Sequence, residues 1–192
     1  MRLNLRAYLW YKLLNSLFFG LSVGSVFVLY APLQPSIYSL GGVLLAVGLL
    51  VVAKFYEAMM HMQIFFIISL FVELIVLVFV AFFLVVNYDF MSALVVYIGY
   101  QFTFLFGNYL VRMETLVLKK ATLLSFVDIA KQKGYLIGML ISYGFYKLLE
   151  NLHVSDKQTQ VYDLHVGLFV LQLCIIYALL KAFRKDMIKS NI

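Results

Sequence analysis

The sequence predicts an all-α integral membrane protein in which one domain, residues 1–192, crosses the bilayer as six helices. Hydrophobic residues make up 65% of the chain, charged residues make up 12%, and the mean hydropathy is +0.99. Soluble domains have roughly 25% charged and 45–50% apolar residues. A water-soluble chain of this length could not hide so much apolar surface, because small domains keep much of their area exposed.

Six apolar runs approach the length of about 20 residues that a helix needs to cross the hydrocarbon layer. They are residues 13–30, 37–53, 62–86, 91–111, 135–149 and 164–183. Each is expected to be helical, because lipid provides no hydrogen-bond partner for a free backbone group. The second and fifth runs are short and are expected to continue as helix into their flanks.

Lysine and arginine are divided very unequally between the two sides that six spans would define. Thirteen fall on one side: Arg2, Arg6, Lys12, Lys54, Arg112, Lys119, Lys120, Lys131, Lys133, Lys181, Arg184, Lys185 and Lys189. Only Lys147 and Lys157 fall on the other. Basic residues concentrate on the cytoplasmic side, so both termini are predicted to be cytoplasmic. This distribution explains the net charge of +6. The expected partners of the basic residues are therefore anionic lipid headgroups rather than nucleic acid. The expected location is a bacterial inner membrane.

The cytoplasmic connection at residues 112–134 is long and has a helix-forming composition. Either it lies in the membrane interface as an amphipathic helix, or the fourth and fifth spans extend into the cytoplasm. We favour the extension.

Glu73 is the first candidate for a functional residue. It lies near the centre of the third run, with about a dozen mostly apolar residues on either side. A carboxyl group inside a membrane is costly and indicates function by default. It is therefore the candidate for proton coupling. The alternative is a protonated side chain that only hydrogen-bonds to a neighbouring helix.

Polar residues in the fourth run recur at helical spacing. Tyr97, Gln101, Asn108 and Arg112 are separated by four, seven and four residues, which places them on one helical face. Such a face is expected to border an interior or an aqueous cavity. With Asn15 of the first run, these residues are the candidates for a substrate cavity. Hydrogen bonding between helices without any ligand is the alternative.

Small residues indicate close helix packing in two runs. Gly20 and Gly24 are four residues apart, and Gly134, Gly138 and Ser142 repeat that spacing. This spacing lets two membrane helices approach closely. As a functional signal it is weak.

Metal and enzyme chemistry have little support. The soft ligand types of Met59, His61 and Met62 would suit Cu(I), but they are only weak candidates because two or three at most could converge on one ion. The sequence has no HExxH, no GxSxG and no Walker-type glycine loop. We therefore predict no enzyme activity, no resident metal and no cofactor.

The topology and some short segments resemble one half of a major facilitator superfamily transporter. The segments are residues 20–24 (GLSVG), residues 38–42 (YSLGG) and the stretch 112–138. Residues 54–62 (KFYEAMMHM) depart from the Gly- and Arg-rich turn that the family has between its second and third spans. The resemblance implies that polar residues of the first and fourth spans, here Asn15, Gln101 and Asn108, line a central cavity.

A half-size chain implies a partner, because alternating access needs two halves around a central site. A homodimer with a two-fold axis along the membrane normal is the expected arrangement, and a separate partner chain is the alternative. We expect a dimeric transporter of a small solute. The competing hypothesis is a non-transporting subunit or scaffold of a larger complex.

Overall fold

The computed structural model describes residues 1–86 and 88–184, and almost all of them are helical. The helices are α1 (Leu5–Leu29), α2 (Pro35–Lys54), α3 (Tyr56–Met59), α4 (Met62–Val85), α5 (Phe90–Leu105), α6 (Gly107–Leu118), α7 (Ala121–Asn151) and α8 (Lys157–Ala182). Two short strands, β1 (Arg2–Leu3) and β2 (Phe183–Arg184), pair antiparallel and join the two ends of the described chain. Lys185 and Lys189, two of the thirteen basic residues predicted to be cytoplasmic, lie outside the described residues.

Polar side chains begin three of the helices. The side chain of Asn4 accepts from the Ala7 N–H at 3.3 Å before α1. Asp89 accepts from the Ser92 N–H at 2.7 Å before α5, and Asp156 accepts from the Thr159 N–H at 2.8 Å before α8. Each satisfies a backbone donor that the first helical turn leaves free.

The prediction of an all-helical fold built from long apolar helices is confirmed. Five described segments are long and apolar enough to cross a membrane: Leu5–Leu29, Pro35–Lys54, Met62–Val85, Phe90–Leu118 and Lys157–Ala182. These are one fewer than the six predicted runs. The remaining run, residues 135–149, lies inside α7, which begins much earlier, at Ala121.

The fourth predicted run is not one continuous helix. Phe106 ends α5 and precedes α6, which starts at Gly107 and continues to Leu118. Between α6 and α7 only Lys119 and Lys120 are outside a helix, and Lys119 has a φ of 56°. The stretch 112–134 is thus mostly continuous helix on either side of a two-residue turn.

Helix α1 is central and packs most extensively along α7 and α8, whereas α2 is peripheral and contacts mainly α5. Helices α1 and α7 are parallel and very close. A Cβ atom added to Gly134 would lie 2.2 Å from the Leu13 carbonyl oxygen, and one added to Gly138 would lie 2.4 Å from that of Leu17. Glycine is therefore required where these helices cross.

The other small residues of the two runs lie along the same contact. A Cβ atom on Gly20 would lie 2.3 Å from the Tyr135 carbonyl oxygen, and one on Gly24 would lie 3.2 Å from the Tyr146 ring. Ser142 is buried beside Gly24. Both runs of small residues thus form one seam between α1 and α7.

Candidate functional site

Glu73 lies midway along α4 and is 2% exposed. Its Oε1 accepts hydrogen bonds from the Tyr11 hydroxyl at 2.7 Å and from Asn15 Nδ2 at 2.9 Å, both on α1. Its Oε2 accepts from Gln172 Nε2 of α8 at 2.8 Å. The carboxyl group therefore joins three helices through neutral donors, and none of these three partners is a cation.

The orientation of Gln172 follows from its second hydrogen bond. Its Nε2 also donates to the backbone carbonyl oxygen of Glu73 at 2.9 Å, and a carbonyl oxygen can only accept. The amide oxygen of Gln172 is consequently turned away from Glu73. That oxygen is buried and has no hydrogen-bond partner within the described protein, so the site has one acceptor to spare.

A second buried carboxyl group, Glu114 of α6, belongs to an adjacent cluster and is 4% exposed. Lys12 of α1 lies 2.7 Å from its Oε2, and Lys131 of α7 lies 2.5 Å from its Oε1. The Tyr8 hydroxyl donates to Oε2 at 2.6 Å. Unlike Glu73, this carboxylate has two cationic partners, which balance its charge away from water.

A cavity of about 160 Å³ lies beside Glu73. Its charged and amide side chains are those of Lys12, Asn15, Glu73 and Gln172, and most of the rest of the wall is aromatic or apolar, with Thr103 as a further polar residue. At ~30 Å³ per molecule in the liquid, this volume is roughly that of five waters. The cavity can therefore hold a small solute against one carboxyl group and one ammonium group.

The arrangement around Glu73 can accommodate either protonation state of this residue. The three donors of Tyr11, Asn15 and Gln172 match a carboxylate, which only accepts. If Glu73 gains a proton, the Tyr11 hydroxyl can rotate and accept it, because a phenol both donates and accepts. Proton gain and loss at Glu73 therefore require rotation of one hydroxyl and no movement of a helix.

The predicted substrate-cavity residues do not come together. Of the five, only Asn15 lines the cavity with Glu73. Tyr97 is buried elsewhere, with its ring edge-on to Tyr30 and Tyr38 at centroid distances of 5.4 Å. Gln101 has a buried side-chain oxygen without a partner in the described protein but is not part of the cavity wall.

Asn108 and Arg112 are exposed on α6 and border a different recess of about 480 Å³. The prediction of one polar face assumed one helix, and the interruption at Phe106 divides that helix in two. Tyr97 and Gln101 belong to α5, and Asn108 and Arg112 belong to α6; a role of these residues in binding a solute stays a prediction.

The weak metal candidates are not assembled into a site. Met59 ends α3, and His61 is an exposed residue immediately before α4, whose first residue is Met62. Within residues 1–86 and 88–184, no group of three or more His, Cys, Asp or Glu side chains is placed to hold a metal ion.

The sequence interpretation missed Glu114 and treated Lys12 and Lys131 only as cytoplasmic charges. A signal was present in α1: Tyr8, Lys12 and Asn15 recur at spacings of four and three, with Tyr11 beside them, and so share one helical face.

No protein-family model, curated protein or solved structure matches this chain.

Proposed function

We propose that this chain is one six-span unit of a membrane transporter, related to half of a major facilitator transporter, which moves a small solute as a dimer. The cavity beside Glu73 is the observation on which the proposal rests. Glu73 is its proton-coupling residue, and no enzyme activity is involved. The location we propose is a bacterial inner membrane, with both termini cytoplasmic.

The sixth span in this proposal is α7. Residues 134–146 of α7 lie beside residues 13–24 of α1, and the two helices run in the same direction. If α1 crosses the bilayer, its close neighbour must lie at the same depth. At 1.5 Å per residue, the 31 residues of α7 extend ~46 Å, more than the ~30 Å hydrocarbon layer. Helix α7 therefore crosses it and also projects beyond it.

Glu73 fits a proton carrier because it is buried, faces a cavity and has no cationic hydrogen-bond partner. An ionised carboxyl group without a compensating charge is unfavourable in this position. We therefore expect Glu73 to bind a proton or a solute in turn. The Gln172 amide lies on the same wall. Asn15 completes the polar side of the cavity.

The dimer follows from the exposed polar positions of α6. Asn108 borders an open recess, and a polar side chain that faces lipid is unfavourable unless another surface covers it. We propose that a second copy of the chain covers this face. Two parallel copies related by a two-fold axis would share one topology. A separate partner chain would satisfy the same requirement.

The competing function, a membrane scaffold, is favoured by one observation. All three donors around Glu73 come from neighbouring helices, so the carboxyl group also fits a role in holding α1, α4 and α8 together. In that case replacing Glu73 would reduce stability, and no solute flux would depend on it.

Reconstitution of the purified chain into proteoliposomes tests the proposal. Uptake of labelled anionic, neutral and cationic small solutes is measured with and without an imposed pH gradient. We expect one class to accumulate with the gradient and Glu73→Gln to abolish this accumulation while leaving downhill exchange. Glu150→Gln is the matched control, because Glu150 is exposed and paired with Lys147 outside the cavity. Absence of any gradient-dependent flux across the panel would overturn the transporter proposal.

A further inference from the structure

An exposed polar stripe follows the outer face of α6 and ends at the residue after the helix. Its members are Asn108, Arg112, Thr115 and Lys119, which are separated by four, three and four residues and so share one helical face. All four are exposed, whereas Tyr109, Met113 and Leu118 of the opposite face are buried. Polar groups at the edge of a membrane helix need a polar partner, and the protein itself supplies none on this side.

The stripe borders the open recess of about 480 Å³. Met60, Val111 and Leu116 form its apolar flanks, and Arg112 and Thr115 contribute charged and hydroxyl groups. No acidic side chain of the described chain lines this recess. The recess therefore combines a cationic donor with apolar walls and has no anionic group to bind a cation.

Arg112 gives the recess its charge. Within residues 1–86 and 88–184 it has no ion pair with a carboxylate, and its guanidinium carbon lies 6.0 Å from the ring centroid of Tyr56. A guanidinium group beside an aromatic ring keeps N–H donors for an anion, and it can bind a phosphate through two parallel hydrogen bonds. Arg112 is thus an uncompensated cation whose geometry suits a phosphate group.

The depth of Arg112 in the bilayer is also that of a lipid phosphate. Asp89 begins α5 at one end of the span Phe90–Leu118. From Phe90 to Arg112 the helices rise ~33 Å, which compares with a hydrocarbon layer of ~30 Å. With Phe90 at one boundary, Arg112 therefore reaches the opposite one. Asn108 lies ~6 Å nearer the centre of the bilayer, below the phosphate level, and remains available to the second copy proposed above.

We propose that this recess binds one anionic phospholipid, with its phosphate on Arg112 and its acyl chains against Val111 and Leu116. Basic recesses between membrane helices bind anionic headgroups on the cytoplasmic side. An anionic headgroup is favoured over a zwitterionic one, because the recess offers no carboxylate to an ammonium group. The inference goes beyond the proposed function and does not depend on it. In the proposed dimer, the lipid lies at the cytoplasmic edge of the face that the second copy covers.

Native mass spectrometry of the full chain released from detergent micelles measures the binding of single lipid molecules. Phosphatidylglycerol (PG) and phosphatidylcholine (PC) with identical acyl chains are titrated, and the affinities of the first bound lipid are compared. We expect PG to bind at least about tenfold more tightly than PC. Arg112→Gln should reduce the PG affinity to that of PC. Lys133→Gln removes an exposed cation of α7 that lies outside the recess, so this matched control should keep the preference for PG.

Three outcomes would overturn the lipid site. The first is equal affinity of the wild type for PG and PC, or an equal loss of preference in Arg112→Gln and Lys133→Gln, which would show attraction by net charge alone. The second is displacement of PG by an excess of inorganic phosphate, which would show a site for free phosphate. The third is a dimer without the PG adduct that the monomer carries, because the second copy would then fill the recess.

A fold defect in the main variant would not prevent the test. Should Arg112→Gln fail to fold, Arg112→Lys keeps the charge and must keep the preference for PG, whereas Asn108→Leu removes only the deeper amide and must keep it too. Loss of the preference in both variants would overturn the assignment of the phosphate to Arg112. None of these measurements depends on solute flux, so failure of the lipid site and failure of the transporter proposal are distinguishable.

Discussion

Replacing Gly138 by alanine should separate α1 from α7 and destabilise the protein. The added Cβ would lie 2.4 Å from the Leu17 carbonyl oxygen, 2.9 Å from the Leu21 nitrogen and 3.0 Å from the Gly20 Cα. All three are backbone atoms, so no side chain can move aside. Restoring an ordinary contact of 3.4 Å requires a shift of about 1 Å, and overpacking of this kind costs ~1–3 kcal/mol.

Gly144→Ala is the matched control on the same helix, because a Cβ there meets nothing within 4 Å. Both substitutions gain up to ~1 kcal/mol of helical propensity, so the difference between the two variants isolates the steric cost. Reversible unfolding in mixed micelles with increasing SDS should show Gly138→Ala less stable than Gly144→Ala by roughly 5- to 150-fold in equilibrium constant. Equal stability of the two variants would refute the close parallel packing of α1 and α7.

Three further predictions concern the cavity, a helix start and the topology. Glu73→Ala leaves the donors of Tyr11, Asn15 and Gln172 without partners and should lower the free energy of unfolding by about 3 kcal/mol or more. Glu73→Gln keeps the shape of the side chain and should lower the free energy of unfolding by less. Equal losses of stability in the two variants would contradict the hydrogen-bond network. The backbone N–H of Ser92 holds the pKa of Asp89 below its ordinary value of 3.8, so the stabilisation by Asp89 is present above about pH 4 and is lost as the pH falls through the lowered pKa. The difference in unfolding midpoint between wild type and Asp89→Asn should therefore shift in favour of the variant under acid conditions, and a constant difference would exclude this role. In a Cys174→Ala background, Ser155→Cys should react with a membrane-impermeant thiol reagent added outside intact cells, whereas Lys120→Cys should react only after permeabilisation; the reverse pattern would invert the proposed topology.

The apolar runs predicted the helices well where lipid contact determines the composition. Helix α4 begins at Met62 and ends at Val85, close to the predicted 62–86. The interruption at Phe106 is followed by Gly107, but one glycine is a weak signal for a break because glycine is common in membrane helices. Helix α7 starts 14 residues before the predicted run at residue 135, since the charged residues of that stretch limit burial in lipid but do not prevent helix formation.

The candidate site was predictable only in part. Glu73 was identified from its position in an apolar run, and that argument needs no knowledge of the fold. Glu114 and Lys12 were not identified, because each lies near a predicted cytoplasmic boundary, where a charged residue needs no special explanation. Their pairing depends on α1 and α6 being neighbours, and nothing in the local sequence of either helix specifies that contact.

Helix α7, which we propose as the sixth span, is less apolar than the five other long helical segments. A helix that contacts lipid on most sides needs large apolar residues, whereas a helix pressed against another backbone needs small ones. Helix α7 has Gly134, Gly138 and Ser142 on its contact with α1, and these residues lower its mean hydropathy. The small residues that reduce the apolar content of α7 also let its backbone lie against α1, and charged residues such as Lys133, Lys147 and Glu150 account for the rest of its polar character. If the Gly138→Ala and Gly144→Ala variants differ as expected, close packing rather than lipid exposure accounts for the composition of this helix.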